Sequence, residues 1–243
     1  MIVLFDGSLY GFFSVVFACY YEKISPLDIQ LDSAITLGET LTIETNYDHA
    51  KRVSSAIQNK ISEEAAEYVY LAFLSFEPDR FMALLAYIKL GFKHGQMVDS
   101  HLQEACVLRV HKLSGHVKRE AHLLRGFCRF AETKQGVFYC EITPTNDVLP
   151  ILVSHFTQRF ISQAWIIHDK TRCQAAIYDG KECIITAAPH DAAVEFAQGE
   201  EETQDLWVAF FKALTIDARK NYKLQRQMMP LHFRKNMTEF RKV

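Results

Sequence analysis

The amino-acid sequence predicts an α+β fold: a helical N-terminal half around a short sheet, then a mainly antiparallel sheet with packed helices. In the first half, apolar residues recur at spacings of three and four, which is typical of helices. From Gly126 onward, short runs alternate apolar and polar residues, and turn residues such as Asp179-Gly180 separate them. The change of period therefore divides a helical region from a strand region.

The stretch VLFDGSLYG near the N-terminus predicts a strand, a turn and a helix. Residues 1–5 are apolar, Asp6-Gly7-Ser8 has turn chemistry, and the apolar run 9–21 predicts a buried helix. Ser8 or Asp6 could cap that helix by accepting from its first free amides. Alternatively, Asp6 is a catalytic or metal-binding carboxylate at a strand end. The local pattern favours the cap.

The rest of the N-terminal half predicts one more strand and several helices. Residues 39–46 alternate with β-branched side chains and predict a strand. A helix follows over 47–61, and another over 62–76 starts at a serine cap and ends before Pro78. The last helix of this region is predicted over 79–90, stopping at Gly91.

A long helix is predicted over residues 99–124, and cations flank its apolar stripe. The stripe consists of Val110, Leu113, Val117, Ala121 and Leu124. These spacings of three and four place the stripe on one face. A face that is merely solvated usually mixes charge signs, so the flanking run of cations is notable.

The C-terminal half predicts a hairpin, three further strands and several helices. The hairpin turns at Lys134-Gln135-Gly136, and a helix over 147–160 is capped by Asn146 or Asp147. The strands are AWIIHD, QAAIYD and ECIITAA. An acidic surface connection follows over 189–205. Helices are then expected from 206 to about 215, and from about 218 to the end with a break at Pro230.

Length and composition limit the class of protein. The chain has 243 residues, 49% hydrophobic and 23% charged, which suits one large domain or two small ones. We expect an acidic helical region over 1–104 and an α+β region over 105–243, which together could also form one continuous domain. The six cysteines form no CxxC pair, so we expect reduced thiols, a cytoplasmic location, no metal site and no cofactor. No signal peptide or membrane span is predicted.

The charges are segregated along the chain. Residues 105–135 carry seven Lys and Arg against two Asp and Glu, and residues 203–243 carry nine against three. Acidic sequence precedes and separates these two basic blocks, with seven against fourteen in residues 1–104 and four against ten in residues 136–202. The opposite charges could pair internally, or the basic blocks could form one face for a polyanion.

The candidate nucleic-acid contacts come from both basic blocks, where cations can hold a phosphate backbone and a ring can stack on a base. They are Lys112, Lys118, Arg119, His122, Arg125, Arg219, Lys220, Tyr222, Lys223 and Arg226. Alternatively, Tyr222 belongs to the core and the cations cover acidic neighbours.

Catalytic candidates are few. Asp6 could act as a base or bind Mg²⁺ only beside a second acidic or histidine group. His168-Asp169 lies at a predicted strand end, but its partners for a metal-dependent phosphohydrolase are missing, and a hydrogen-bonded histidine explains it as well. No GxSxG, P-loop, HExxH or dinucleotide motif occurs. The missing motifs favour a binding protein over an enzyme.

Four separated parts of the chain are distinctive: FDGSLYGFFSVVFACYYEKISP, HVKREAHLLRGFCRF, YCEITPTNDVLPILVSHFTQRF with WIIHDK, and RKNYKLQRQMMPLHFRKNMTEF. Together they resemble one bacterial family of DNA metabolism or DNA repair proteins. The chain departs from the family's Tyr-Trp pair at His232-Phe233, and from its Leu-Pro-Glu at Met237-Thr238-Glu239.

The resemblance covers essentially the whole chain, includes Asp6-Gly7-Ser8 and implies no established catalytic residue. It implies DNA and a radical-SAM protein similar to spore photoproduct lyase as partners. It also implies a C-terminal domain of unknown function that elsewhere is fused to uracil-DNA glycosylases. The resulting hypothesis is a DNA-binding accessory protein. The alternative is a nucleic-acid-processing enzyme with an unrecognised site at Asp6 and His168-Asp169.

Overall fold

The computed structural model describes residues 1–241 and confirms the predicted α+β fold class. It divides into two compact units, Met1–Lys118 and Arg119–Val243. None of the helices in residues 1–241 combines the length and the apolar character needed to cross a bilayer.

The first unit is built on a three-stranded parallel sheet. β1 (Ile2–Phe5) lies between β2 (Asp28–Leu31) and β3 (Thr40–Thr42), and it is parallel to both. The helix α1 (Leu9–Tyr21) has the bounds that the apolar run predicts, and Ser8 is its N-cap. It connects β1 to β2, because parallel neighbours need a crossover that returns the chain to the same end of the sheet.

Further helices surround this sheet, and side-chain caps begin two of these as well. Asn46 caps α2 (Tyr47–Ala56), which continues as a π-helical turn, Ile57–Ile61. Ser62 caps α3 (Glu63–Phe73), as the sequence predicts. The remaining elements of this half are α4 (Arg80–His94), a 3-10 turn (Gly95–Ser100) and α5 (Ala105–Phe127).

Gly91 does not end α4, so the predicted stop is wrong. The helix continues to His94 and ends at Gly95, whose φ is +59°. A Cβ at Gly91 would lie 2.4 Å from Cδ1 of Ile61. Gly91 is therefore a point of close helix packing inside α4, and the terminator is the next glycine.

α5 begins six residues later than predicted, because residues 95–104 form the 3-10 turn and a second turn. The side chain of Asp99 is engaged there: Oδ1 accepts from the Tyr87 hydroxyl at 2.8 Å and lies 2.7 Å from Nε2 of His111. The predicted apolar stripe is confirmed, since every member is at most 3% exposed. Sequence periodicity found the face of this helix but not its start.

The second unit contains a five-stranded sheet in the order β4 to β8. Its strands are β4 (Ala131–Glu132), β5 (Phe138–Ile142), β6 (Trp165–Asp169), β7 (Gln174–Tyr178) and β8 (Cys183–Ala187). All neighbours are antiparallel except β5 and β6. α6 (Leu149–Arg159) connects this parallel pair. The mainly antiparallel sheet is confirmed.

The N-cap position of α6 is Val148, one residue after the predicted cap Asp147, whose carboxylate accepts from the backbone amide of Leu149. The preceding loop is held by Glu120, a buried carboxylate of α5. It accepts from the backbone amides of Thr145 at 2.7 Å and Asn146 at 2.8 Å. This loop is therefore fixed from another helix.

Four helices complete the second unit, and the first begins earlier than predicted. They are α7 (Glu200–Ala213), α8 (Tyr222–Met228), α9 (Leu231–Arg234) and α10 (Thr238–Arg241). Three glutamates form the first turn of α7, where negative charge is favourable. The end of the predicted last helix, residues 242–243, lies outside the described residues.

Candidate functional site

The second half of α5 presents a row of basic side chains. Arg119, His122 and Arg125 are exposed, while Ala121 and Leu124 on the opposite side are buried. The helix therefore separates an apolar face from a basic one within the second unit.

α6 adds two basic side chains beside this row. Burial, together with the positive charges of Arg125 and Arg159, lowers the pKa of His155. The guanidinium groups of both arginines thus act on one imidazole. We name Arg119, His122, Arg125, His155 and Arg159 the arginine surface.

The arginines of this surface have no carboxylate partner. Within the part of the chain that the structure describes, no ion pair involves Arg119, Arg125 or Arg159. Other cations of the same unit are paired: Arg129 with Glu239, Lys134 with Glu195, Lys170 and Arg241 with Glu141, and Arg172 with Asp169. Internal charge pairing therefore does not account for the arginine surface.

Two of the predicted nucleic-acid contacts are on the first half of α5, in the first unit, and they differ in their surroundings. Lys112 is exposed, whereas Nζ of Lys118 lies 3.2 Å from a carboxylate oxygen of Glu67. Glu67 therefore partly neutralises Lys118, whereas the charge of Lys112 faces solvent.

The predicted C-terminal contacts are all exposed. Lys220 pairs with Asp217, but no ion pair in residues 1–241 involves Arg219, Lys223 or Arg226. Tyr222 is 66% exposed, so the proposal that it is core is wrong. With Arg219 and Lys220, it lines a cavity of about 780 Å³.

Asp6 supports the Ser8 cap of α1. Its Oδ1 accepts from the backbone amide of Ser8 at 2.9 Å and from the Ser8 hydroxyl at 2.8 Å, and Oδ2 accepts from Thr45. Ser8 in turn accepts from the amide of Gly11. Burial disfavours the ionised form, but the hydrogen bonds from Thr45 and Ser8 outweigh it and lower the pKa of Asp6. Oδ1 is therefore engaged within the turn, whereas Oδ2 binds Thr45 after β3.

The Asp169 carboxylate is also held by hydrogen bonds within a turn, in the second unit. It is fully buried and accepts from the amides of Thr171 and Arg172, and Nη1 of Arg172 lies 3.2 Å from Oδ2. Burial raises its pKa despite these contacts. Arg172 also donates to the carbonyls of Pro144 and Thr145. Asp169 thus fixes the loop after β5.

His168 differs from both aspartates because one of its ring nitrogens has no partner. Nδ1 lies 2.7 Å from the hydroxyl of Tyr139, which donates to Glu141 at 3.3 Å. Nε2 is buried without a hydrogen-bond partner in the described residues. Burial, with Lys170, lowers the pKa of His168 and favours the neutral ring. His168 and Tyr139 line a mostly apolar cavity of about 610 Å³.

Sequence reasoning missed Arg159, His155, Tyr139 and Glu141. His155 and Arg159 are four apart in a predicted helix, so they share a face, and that spacing was the available signal. Tyr139 and Glu141 share a strand face, but their proximity to His168 depends on β5 lying beside β6. No group of three His, Cys, Asp or Glu side chains in residues 1–241 could hold a metal ion.

A protein family described as a domain of unknown function, DUF4130, matches residues 78–239. The chain belongs to this family. No curated protein and no solved structure matches the chain. The matched range contains the arginine surface, Tyr139, His168 and Glu239, whereas Asp6 and α1 lie before it.

Proposed function

We propose that this protein binds DNA through the arginine surface, as an accessory factor in DNA metabolism or repair. The observation that carries the proposal is that three arginines lie on two neighbouring elements without carboxylate partners. Among the described residues of the same unit, six other Lys and Arg side chains are paired. Guanidinium groups that are not neutralised within the protein are available to phosphate oxygens, which they bind in a bidentate manner.

The test is a titration of labelled duplex DNA at several salt concentrations. Each phosphate neutralised contributes roughly −0.9 to the slope of log K against log salt. Replacing Arg125 and Arg159 with Ala should therefore weaken binding and flatten the slope by about 1.8. Because phosphate contacts carry no base information, the loss should be similar for unrelated sequences.

A matched control removes the same charge from the same unit at two other turns. Lys134 lies in the turn between β4 and β5, and Lys181 lies between β7 and β8. Replacing both with Ala should leave affinity and slope close to those of the wild type. Equal losses in the two double variants would mean that only net charge matters, and no binding at low salt would refute the proposal.

The C-terminal cations would extend the interface toward single strands. Tyr222 is exposed beside Arg219 and Lys223, and an aromatic ring among cations can stack on an unpaired base. We expect Tyr222→Ala to reduce binding of a single strand more than binding of a duplex. An equal reduction for both would show that Tyr222 does not stack on an unpaired base.

The radical-SAM partner is proposed from the resemblance alone. Co-purification of this chain with a radical-SAM protein similar to spore photoproduct lyase, with and without DNA, tests it. We expect a complex that survives nuclease treatment. Recovery only in the presence of DNA would mean that the two proteins bind the same DNA and do not bind each other directly.

A second candidate function is catalysis on nucleic acid with His168 as the base. The observation that favours it is the chain of contacts Glu141, Tyr139, His168, which ends at the unpartnered Nε2. This role requires the neutral tautomer that is protonated at Nδ1, in which Nδ1 donates to Tyr139, Tyr139 donates to Glu141 and Nε2 is an acceptor. Cleavage of labelled DNA that is lost in His168→Gln would support this candidate, and cleavage that persists would exclude it.

A further inference from the structure

A cleft in the first unit combines exposed aromatic rings with cations and lies almost entirely before the family match. It is bounded by α1, α2, the π-helical turn and α4, with Phe92 as its contribution from within the matched range. Its volume is about 500 Å³, which is within the range of small-molecule sites. We name it the Tyr20–Tyr21 cleft.

Stacked rings form the floor of the cleft. The Phe17 ring stacks on His49 at 3.8 Å between centroids, with 11° between planes, and on Tyr21 at 4.3 Å. Tyr20 packs edge-on against both Tyr21 and Phe92. Yet Tyr20 and Tyr21 are 55% and 58% exposed. The stack therefore ends in tyrosine rings that are held in place and still open to solvent.

Cations form the rim. Lys51, Arg52 and Lys60 line the cleft, and the Arg52 guanidinium lies over the rings of Phe17 and Tyr21 at 5.3 and 5.4 Å. No ion pair within residues 1–241 involves these three side chains, and no Asp or Glu lines the cleft.

The concentration of positive charge is unusual for this part of the chain. Residues 1–104 have only seven Lys and Arg against fourteen Asp and Glu, and three of those seven line this one cleft. Lys60 reaches it from a π-helical turn, a departure from regular helix that is frequent at functional sites.

We propose that the Tyr20–Tyr21 cleft binds a nucleotide. The planar base stacks on the tyrosine rings, and the phosphate lies among Lys51, Arg52 and Lys60. An apolar ligand would leave three cations without a role, and a bare anion would leave the open rings without one. The nucleotide is either a free nucleoside phosphate or one residue of a single strand, since both have the same chemistry. This inference is independent of the arginine surface.

Calorimetric titration with three probes tests the two parts of the site. Adenosine monophosphate should bind at least tenfold more tightly than adenosine or inorganic phosphate, because only the nucleotide engages both rings and cations. Tyr20→Leu should weaken adenosine monophosphate about tenfold and leave phosphate unchanged, whereas Lys60→Gln should weaken both.

Two matched changes outside the cleft serve as controls. Tyr47 is 65% exposed on α2, and Lys93 is exposed on α4. Tyr47→Leu and Lys93→Gln should leave the affinity unchanged. Absence of nucleotide binding at millimolar concentration, or equal losses in cleft and control variants, would overturn the proposal.

A short single-stranded oligoadenylate separates the two sources of the nucleotide. Tighter binding of the oligonucleotide, with competition by adenosine monophosphate, assigns the cleft to strands. Equal or weaker binding assigns it to free nucleotides. Failure of the DNA-binding proposal remains distinguishable, since the Arg125 and Arg159 variant should leave binding of adenosine monophosphate unchanged.

Discussion

Replacing glycine by alanine is expected to have opposite effects at two helical positions of the first unit. Gly91 in α4 is buried, and an added Cβ would lie 2.4 Å from Cδ1 of Ile61 and 3.2 Å from its Cγ1. Gly115 in α5 is exposed, and an added Cβ would meet no atom within 4 Å. The chemical change is the same, so the surroundings decide the sign.

The magnitudes follow from two opposing effects. Alanine is favoured over glycine in a helix interior by about 0.8–1 kcal/mol, so Gly115→Ala should stabilise the protein by roughly that amount. At Gly91 the same gain is opposed by overpacking, which typically costs about 1–3 kcal/mol. Ile61 is 1% exposed and cannot turn into solvent. We therefore expect Gly91→Ala to destabilise the protein by about 1 kcal/mol.

Urea denaturation followed by circular dichroism measures both changes in the same compact unit. Ile61→Val removes the atom closest to the new methyl group. Combined with Gly91→Ala, it should therefore cost less than the sum of the two single changes. A stabilising Gly91→Ala, or strict additivity in the double variant, would refute the packing argument.

Three further outcomes are expected. Ser8→Ala should cost about 1 kcal/mol through loss of the α1 cap, and Asp6→Ala about 0.5–2 kcal/mol, both by thermal denaturation; unchanged melting of Asp6→Ala with lost DNA activity would instead make Asp6 catalytic. Burial opposes ionisation of Glu239, but hydrogen bonds from Arg129 and Trp207 outweigh it and lower its pKa. Because a lowered pKa stabilises the fold above the unfolded-state value, the advantage of wild type over Glu239→Gln should shrink as pH falls from about 5 to 3. A constant difference across that window would show that ionised Glu239 does not contribute.

Local signals were sufficient for elements whose causes lie in adjacent residues. The bounds of α1 follow from the cap at Ser8 and the apolar run that begins at Leu9. β2 was missed although Asp28–Leu31 alternates polar and apolar residues, because a run of four residues is too short to predict a strand without its pairing to β1. The role of Gly91 was mispredicted for a similar reason. The residue type alone does not distinguish a glycine that allows close packing from one that ends a helix.

In the candidate sites, too, some features follow from local sequence and others depend on contacts between distant residues. The exposed cations of α5 follow from periodicity, because the apolar stripe fixes which residues face away from it. The approach of Arg159 to Arg125 depends on where α6 packs, and the meeting of Tyr21 with Arg52 and Lys60 depends on three elements. No sequence spacing encodes those distances, so these sites could not be predicted.

The start of the family match at residue 78 has a practical consequence for protein production. The match begins two residues before α4, whose Phe81 ring packs against Phe5 at 5.0 Å and Phe12 at 5.6 Å. A fragment cloned at 78–239 would therefore expose the inner side of α4 to solvent. We expect such a fragment to aggregate on expression, because the boundary drawn by sequence similarity cuts through a hydrophobic core.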